Sequence, residues 1–299
     1  MNKSHYYWLD LLRFLAALTV LIVHARAYSF VEYGALTDKN YLIAVFFALT
    51  RLGNESVLVF FVLSGFLVGG RVIEKVSMGK FNPISYSLDR SVRIFLPLIP
   101  ALALTIIIRL IIDGNFDWLV LLGNLFSLQG IACDVFGGNG PLWSLSYEVW
   151  FYILALLAAS FTISKEFHVG YFLLLAIVPI VFTILHPVYL FCWIIGSLAY
   201  IVKPSHFSLK IFLFAILLAI YSVAGTQLGN NSVSISLVNI QPFLPNLDAS
   251  RLILSVSFAL IIQQIIMLKP KTLMTLKLDH LGSVLASFSY TLYLTHYPI

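Results

Sequence analysis

The sequence predicts an all-α, polytopic transmembrane bundle, and three observations carry that prediction. Apolar residues fill 60% of the 299 positions and charged residues only 10%, far from the roughly half apolar, quarter charged balance of soluble domains. Mean hydropathy is +0.96. Runs of about 20 mostly apolar residues, the length of a membrane-crossing helix, recur from end to end. No hydrophilic stretch is long enough for a second folded unit, so 1–299 reads as one transmembrane domain.

Nine segments fit spans: 8–28, 56–73, 92–112, 142–160, 167–185, 188–202, 209–226, 251–268 and 283–299. The first resembles a signal peptide in hydrophobicity, yet it holds Asp10, Arg13 and His24 and lacks a small-residue cleavage site, so it reads as a retained helix. Two further apolar stretches, 41–50 and 118–128, are short for a span. The second runs into 129–140, where Gly and Asn signal irregular backbone, and such backbone survives at membrane depth only inside protein or a wet cavity.

Counting 118–128 as a crossing would reverse every later helix. The loop around residues 71–93 sets Arg71, Lys75, Lys80, Arg90 and Arg93 against Glu74 and Asp89, which makes it cytoplasmic by the positive-inside rule, with the N-terminus inside as well. If 118–128 does not cross, Lys165, then Lys203 and Lys210, then Lys269, Lys271 and Lys277 also fall inside. A re-entrant or short helix there, and about nine crossings, is the expectation. The chain then ends outside at Ile299 within apolar sequence, so a tenth helix is expected to be missing.

The formal charge of +5 comes from dispersed Lys and Arg, which argues for membrane topology and against nucleic acid. Cys133 and Cys192 offer neither a disulfide framework nor a metal-ligand spacing, so no metal is expected.

Ionisable residues inside spans are costly and usually mark pathways or active sites. In LDLLRFLAALTVLIVHA, Arg13 and His24 are eleven residues apart, about three turns and 16 Å along one helix face. The plainer alternative pairs Arg13 with Asp10 at the interface and leaves His24 as an interfacial histidine. In GPLWSLSYEVWFY, Ser144, Glu148 and Tyr152 form a stripe at i, i+4, i+8; a carboxylate that supports a histidine base is a recurrent way to activate a hydroxyl. Glu148 as the structural partner of an arginine is the alternative. SFSYTLYLTHYP puts Ser289, Tyr293 and His296 on one face before Pro298, either completing a polar cavity or forming an interfacial belt. Arg90 and Arg93 in LDRSVRIFLPLIP are one turn apart at the inner mouth, where they either clamp phosphates or snorkel to lipid. Depth along each helix sets His24, Glu148 and His296 in one outer layer.

These motifs resemble the acyltransferase-3 family, membrane-bound O-acyltransferases that modify bacterial surface polysaccharides. The resemblance rests on the Arg13, ten residues, His24 pattern, FFVLSGFL at 60–67, Arg90 and Arg93 with Pro97, PLWSLSYEVWFY at 141–152 and SYTLYLTHYP at 289–298. It implies ten helices, a multi-pass protein of the inner membrane, His24 as catalytic residue and Arg13 as its companion. It also implies transfer of an acyl group, commonly acetyl, from cytoplasmic acyl-CoA to a saccharide hydroxyl, with no tightly bound cofactor. Joined with the residue reading, it predicts His24 and Glu148 as catalytic, and Arg13, Arg90 and Arg93 as the acyl-CoA site. Asp10, Ser144, Tyr152, Tyr293 and His296 line the cavity or hold the acceptor. His24 acts as general base, or forms a transient acyl-histidine. A transporter or flippase of a lipid-linked glycan is the alternative from another class, since buried Arg, Glu and His also build substrate paths. Acceptor identity, acyl length and oligomeric state carry no readable signal.

Overall fold

The computed structural model describes residues 6, 8–38, 40–164, 169–228 and 243–297, with backbone alone at 169 and 171–175. Lys165, Pro298 and most of the 227–248 loop lie beyond the described residues.

The fold is helical throughout the described residues: α1 Leu9–Ser29, α2 Tyr41–Leu49, α3 Gly53–Ser64, α4 Gly70–Ser77, α5 Pro83–Ile112 and α6 Trp118–Leu125 lead into α7 Leu142–Ile163, α8 Val169–Ile184, α9 Val188–Ile201, α10 Leu209–Leu228, α11 Leu247–Ile265 and α12 Leu273–Thr295. All nine predicted spans carry a helix. Among the described residues, six helical stretches are long and apolar enough to cross a membrane by themselves. Of the other three, α8 is described over 16 residues, α9 has 14, and α12 is long but carries Lys277, Asp279 and His280.

Contacts between helices give their directions. Trp8 N–H donates to Asp279 near the start of α12, and His24 meets His296 near the end, so α1 and α12 run parallel. The Ser144 and Tyr293 hydroxyls meet, placing the start of α7 beside the end of α12. The Tyr147 hydroxyl, early in α7, accepts from His186 N–H at the α8–α9 turn, and Ser257 of α11 donates to the Ala215 carbonyl of α10. Among the described residues the chain therefore traverses the bundle nine times, with α6 not counted. The ten-crossing reading would have set α12 antiparallel to α1.

At eight residues α6 is only about 12 Å long. It and the following loop fold back on the end where α5 finishes and α7 begins, and buried amides hold that irregular backbone. Asn124 Nδ2 donates to the Asp134 carbonyl at 2.8 Å, and its Oδ1 accepts from Phe136 N–H at 3.0 Å. Gln129 Nε2 donates to the Leu142 carbonyl at 2.7 Å, and Asn139 Nδ2 to the Leu294 carbonyl at 3.0 Å. Backbone polar groups that helix cannot satisfy are met by these side chains.

The α3–α4 rod is the centre of the bundle, and one feature of it was not foreseen. Residues 65–69, expected within an unbroken helix, form a π-helical turn. Glycines explain how α9 packs there: a Cβ on Gly65 would strike the Trp193 carbonyl, and one on Gly196 the Val62 carbonyl. Ser197 Oγ donates to the Gly65 carbonyl at 3.1 Å, an oxygen that also accepts from Gly70 N–H within the π turn. Helix–helix approach in a membrane depends on such small residues.

Candidate active site

The central rod, α1, α5, α7 and α12 enclose a cavity of about 380 Å³. Four guanidinium groups line it, Arg13, Arg71, Arg90 and Arg93, against two carboxylates, Asp10 and Glu148. Aromatic and aliphatic side chains make up the rest, with Phe60, Phe61 and Leu67 on the rod and Tyr290 and Tyr293 on α12. The basic end lies beside Tyr6 and Arg71, at the start of α1.

The three expected donor-site residues, Arg13 on α1 and Arg90 and Arg93 on α5, meet here. Arg13 Nη1 donates to Asp10 Oδ1 at 2.7 Å, one turn back on α1. Arg93 Nε lies 4.0 Å from Glu148 Oε1, and its guanidinium sits over the Tyr290 ring at 5.6 Å. Arg90 sits over the Tyr152 ring at 5.4 Å, while the Tyr152 hydroxyl donates to Glu148. The Nε atoms of Arg90 and Arg93 are buried with no hydrogen-bond partner. Buried donors in that state are costly, and an anion with several acceptor oxygens would satisfy both.

Asp10, Ser144, Tyr152 and Tyr293 also line the cavity. His24 and His296 do not: they form a pair just beyond Tyr293 and Leu294, at the far end from Arg71. His24 Nδ1 and His296 Nε2 are 2.7 Å apart, and the Tyr297 ring stands edge-on to His24 with centroids 4.9 Å apart. His296 Nδ1 lies 3.1 Å from the Leu292 carbonyl. That oxygen only accepts, so Nδ1 of His296 carries hydrogen. Neutral His296 then presents a bare Nε2, which accepts from Nδ1–H of His24, and neutral His24 is left with its lone pair on Nε2. A chain of two hydrogen bonds thus leaves Nε2 as the unprotonated nitrogen of neutral His24.

This corrects one detail of the sequence reading. Glu148 was expected beside His24 in a single layer with His296; instead its partners are Tyr152 and Arg93, while His24 is supported by His296. Tyr290, which shares Arg93 with Glu148, precedes His296 by six residues, or about 9 Å of helix, so the carboxylate lies deeper. The start of α7 at Leu142 matches the predicted one, but α12 begins at Leu273, ten residues before 283, so His296 lies about 15 Å farther along its helix than the predicted start implies. The plain pairings, Arg13 with Asp10 and Glu148 with an arginine, are both present, within a cavity. Sequence reasoning missed Tyr6 and Tyr290 and treated Arg71 only as a topological charge. Tyr290 was discernible, since it lies on α12 three residues before Tyr293.

Among the described residues no cluster of three or more His, Cys, Asp or Glu side chains is arranged to hold a metal. Neither the curated proteins nor the solved structures include a match to this chain. The model of the acyltransferase-3 family, described as an acyltransferase domain, matches residues 6–299. A match over nearly the whole chain, on a helical bundle with a basic cavity and paired histidines, means that the protein belongs to the acyltransferase-3 family and has the fold of a membrane-embedded acyltransferase.

Proposed function

We propose that the protein moves an acyl group, in the first instance acetyl, from acyl-CoA to a hydroxyl of a cell-surface or lipid-linked saccharide. The observation that carries this reading is a cavity with arginines at one end and, just beyond its other end, a histidine pair that leaves Nε2 of His24 unprotonated. The basic end faces the cytoplasm of a cell whose inner membrane the protein spans, since Arg71, Lys75, Lys80 and Lys203 gather on that side. Phosphates of acyl-CoA bind Arg90 and Arg93, with Arg71 at the rim. The acyl-bearing arm extends past Arg13 along α1, whose Arg13 and His24 are about 16 Å apart on one face.

At the far end the acceptor oxygen attacks the thioester carbonyl while Nε2 of His24 takes its proton. The carbon–sulfur bond then breaks, CoA leaves as the thiolate, and the proton returns from His24 to the sulfur or to water. His296 holds His24 in the reactive tautomer. Glu148 fixes Arg93 and Tyr152 in the donor cavity and takes no proton.

The test uses the purified chain in lipid nanodiscs with radiolabelled acetyl-CoA and a polysaccharide extract. Label is expected in the saccharide, and it is expected to vanish in His24→Ala while acetyl-CoA affinity is kept. Undiminished transfer by that variant would overturn the assignment of His24. Glycan translocation without acyl-CoA, and no labelled sugar, would support a transporter instead.

A further inference from the structure

A second cavity, of about 340 Å³, opens toward the opposite end of the bundle from Arg71. It lies between the last turns of α1, the start of α3, the end of α10 and the starts of α9 and α11. Its chemistry differs from that of the first: polar side chains dominate, among them Arg26, Arg51 and Arg251. Glu55 forms the floor. Only 4% of this residue is exposed; its Oε1 accepts from Thr226 Oγ1 at 2.5 Å and from Gln227 Nε2 at 2.7 Å, and its Oε2 is buried with no partner. Arg26 Nε is also buried without one, its guanidinium lying over the Phe47 ring at 5.0 Å. Arg251 binds Asp248 at 3.0 Å and lies over the ring of Tyr189 at 5.2 Å, which exposes one aromatic edge of the cavity.

This set of groups is unlike a structural ion pair. The three arginines are not paired off by Glu55, whose named partners are a hydroxyl and an amide. A buried carboxylate oxygen without a donor calls for a hydroxyl, and guanidinium forks call for a carboxylate or phosphate. A sugar that carries negative charge supplies both kinds of group, and Asn54, which also lines the cavity, adds a donor and an acceptor. The cavity is level with His24: its wall includes Val23, the residue before His24, and Arg26, two after it. Leu58 lines it, whereas Val57, Phe60 and Phe61 line the first cavity. The two cavities are thus separated by the thickness of one helix, with His24 at that level of α1.

We propose that this second cavity is the docking site for the acceptor, and that it selects a saccharide bearing carboxylate or phosphodiester groups. One charged residue of the glycan binds the arginines and Glu55, while a neighbouring residue brings its hydroxyl around the end of α1 to His24. The proposal rests on the acyl-transfer reading for its purpose, but the binding itself is measured separately.

Binding is titrated calorimetrically on the purified chain in nanodiscs of neutral lipid, with three probes: an oligogalacturonate, a poly(glycerol phosphate) oligomer and neutral maltohexaose. At least one anionic probe is expected to bind about tenfold or more tightly than maltohexaose. Arg51→Gln and Glu55→Gln are each expected to weaken it by about tenfold, with Arg51→Lys recovering part of the loss. Thermal unfolding is followed for each variant, and a variant that does not fold is replaced by Asn54→Ala, for which a smaller loss is expected. Equal affinity for charged and neutral probes, or no change in the variants that fold, overturns the proposal. Retention of phosphatidylglycerol by the neutral-lipid preparation, displaced by none of the saccharides, also overturns it and assigns the arginines to a lipid headgroup. If anionic binding depends on Arg51 but no label moves from acetyl-CoA, the site stands and the acyl-transfer reading fails. If label moves and requires His24 while Arg51→Gln binds every probe like wild type, the reverse holds.

Discussion

The two ends of the polar column between α1, α7 and α12 are built on different principles. Around Arg93 the groups are charged and interlocked: Glu148 sits between Tyr152 and Arg93, Arg90 covers the Tyr152 ring, and Arg93 covers Tyr290. Around His24 the structure relies on two imidazoles and a backbone carbonyl. Removing a member of the first group leaves another charge without compensation, so stability and ligand binding fall together. Removing a member of the second leaves a small gap lined by polar rings near the end of the bundle, with little loss of fold. If the proposed roles are right, donor binding and proton transfer are thus separable by experiment.

The sharpest break of that comparison is at His24. In His24→Ala the transfer rate is expected to fall by about 10³-fold, within the usual contribution of a positioned acid–base group, with acetyl-CoA affinity and unfolding temperature close to wild type. A matching loss of donor affinity would mean that the two ends are one unit. His296→Ala is expected to lower kcat by about 10²-fold with KM for acetyl-CoA unchanged. His296→Gln, whose side-chain oxygen can accept from Nδ1 of His24, is expected to restore part of that rate. A merely space-filling His296 would show no such rescue, and single-turnover rates with labelled acetyl-CoA distinguish the two.

Much of the end around Arg93 was legible in the sequence because its pairs are local. Asp10 with Arg13 and Glu148 with Tyr152 are at i, i+3 and i, i+4 on single helices, where spacing alone brings side chains together. The pair of His24 and His296 joins residues 272 positions apart; periodicity could place both near one level but could not say that they touch. The parity of the crossings was recoverable because lysines distribute by side, and the re-entrant α6 followed from its length. The π turn at 65–69 was invisible for a different reason. Each of its residues also suits an α-helix, and only the approach of α9 at Gly65 and Gly196 makes the wider turn worthwhile. The cavity of Arg26, Arg51 and Glu55 was missed because its members come from the ends of five helices, none of which carries a polar stripe of its own.

The smaller effects refine the boundary between the two ends. Arg93→Gln removes the fork that the proposed reading assigns to the donor and the charge that faces Glu148. Acetyl-CoA affinity is expected to drop roughly tenfold, and stability by about 1 to 2 kcal/mol, since the pair is long at 4.0 Å and Arg93 is partly exposed. Arg93→Lys should recover the stability more fully than the affinity, because an ammonium restores charge without the planar fork. Full recovery of both would reduce Arg93 to a point charge.

Tyr293 lies between the two ends and gives the finest discrimination. Its hydroxyl shares a hydrogen bond of 2.8 Å with Ser144 Oγ, its ring packs on Phe60 with centroids 5.6 Å apart, and His296 follows one turn later. Tyr293→Phe keeps the ring and removes only the hydroxyl. Ser144 retains its bond to the Pro141 carbonyl at 3.2 Å, so no buried group is stranded and the loss is about 1 kcal/mol or less, read as a small shift in unfolding temperature. If Tyr293 only seals α7 to α12, both kcat and donor KM stay within about twofold of wild type. A fall in kcat comparable to that of His296→Ala, without a change in KM, would mean that the proton machinery extends inward through Tyr293 to Ser144. The boundary between the binding half and the chemical half would then lie one helical turn closer to Glu148.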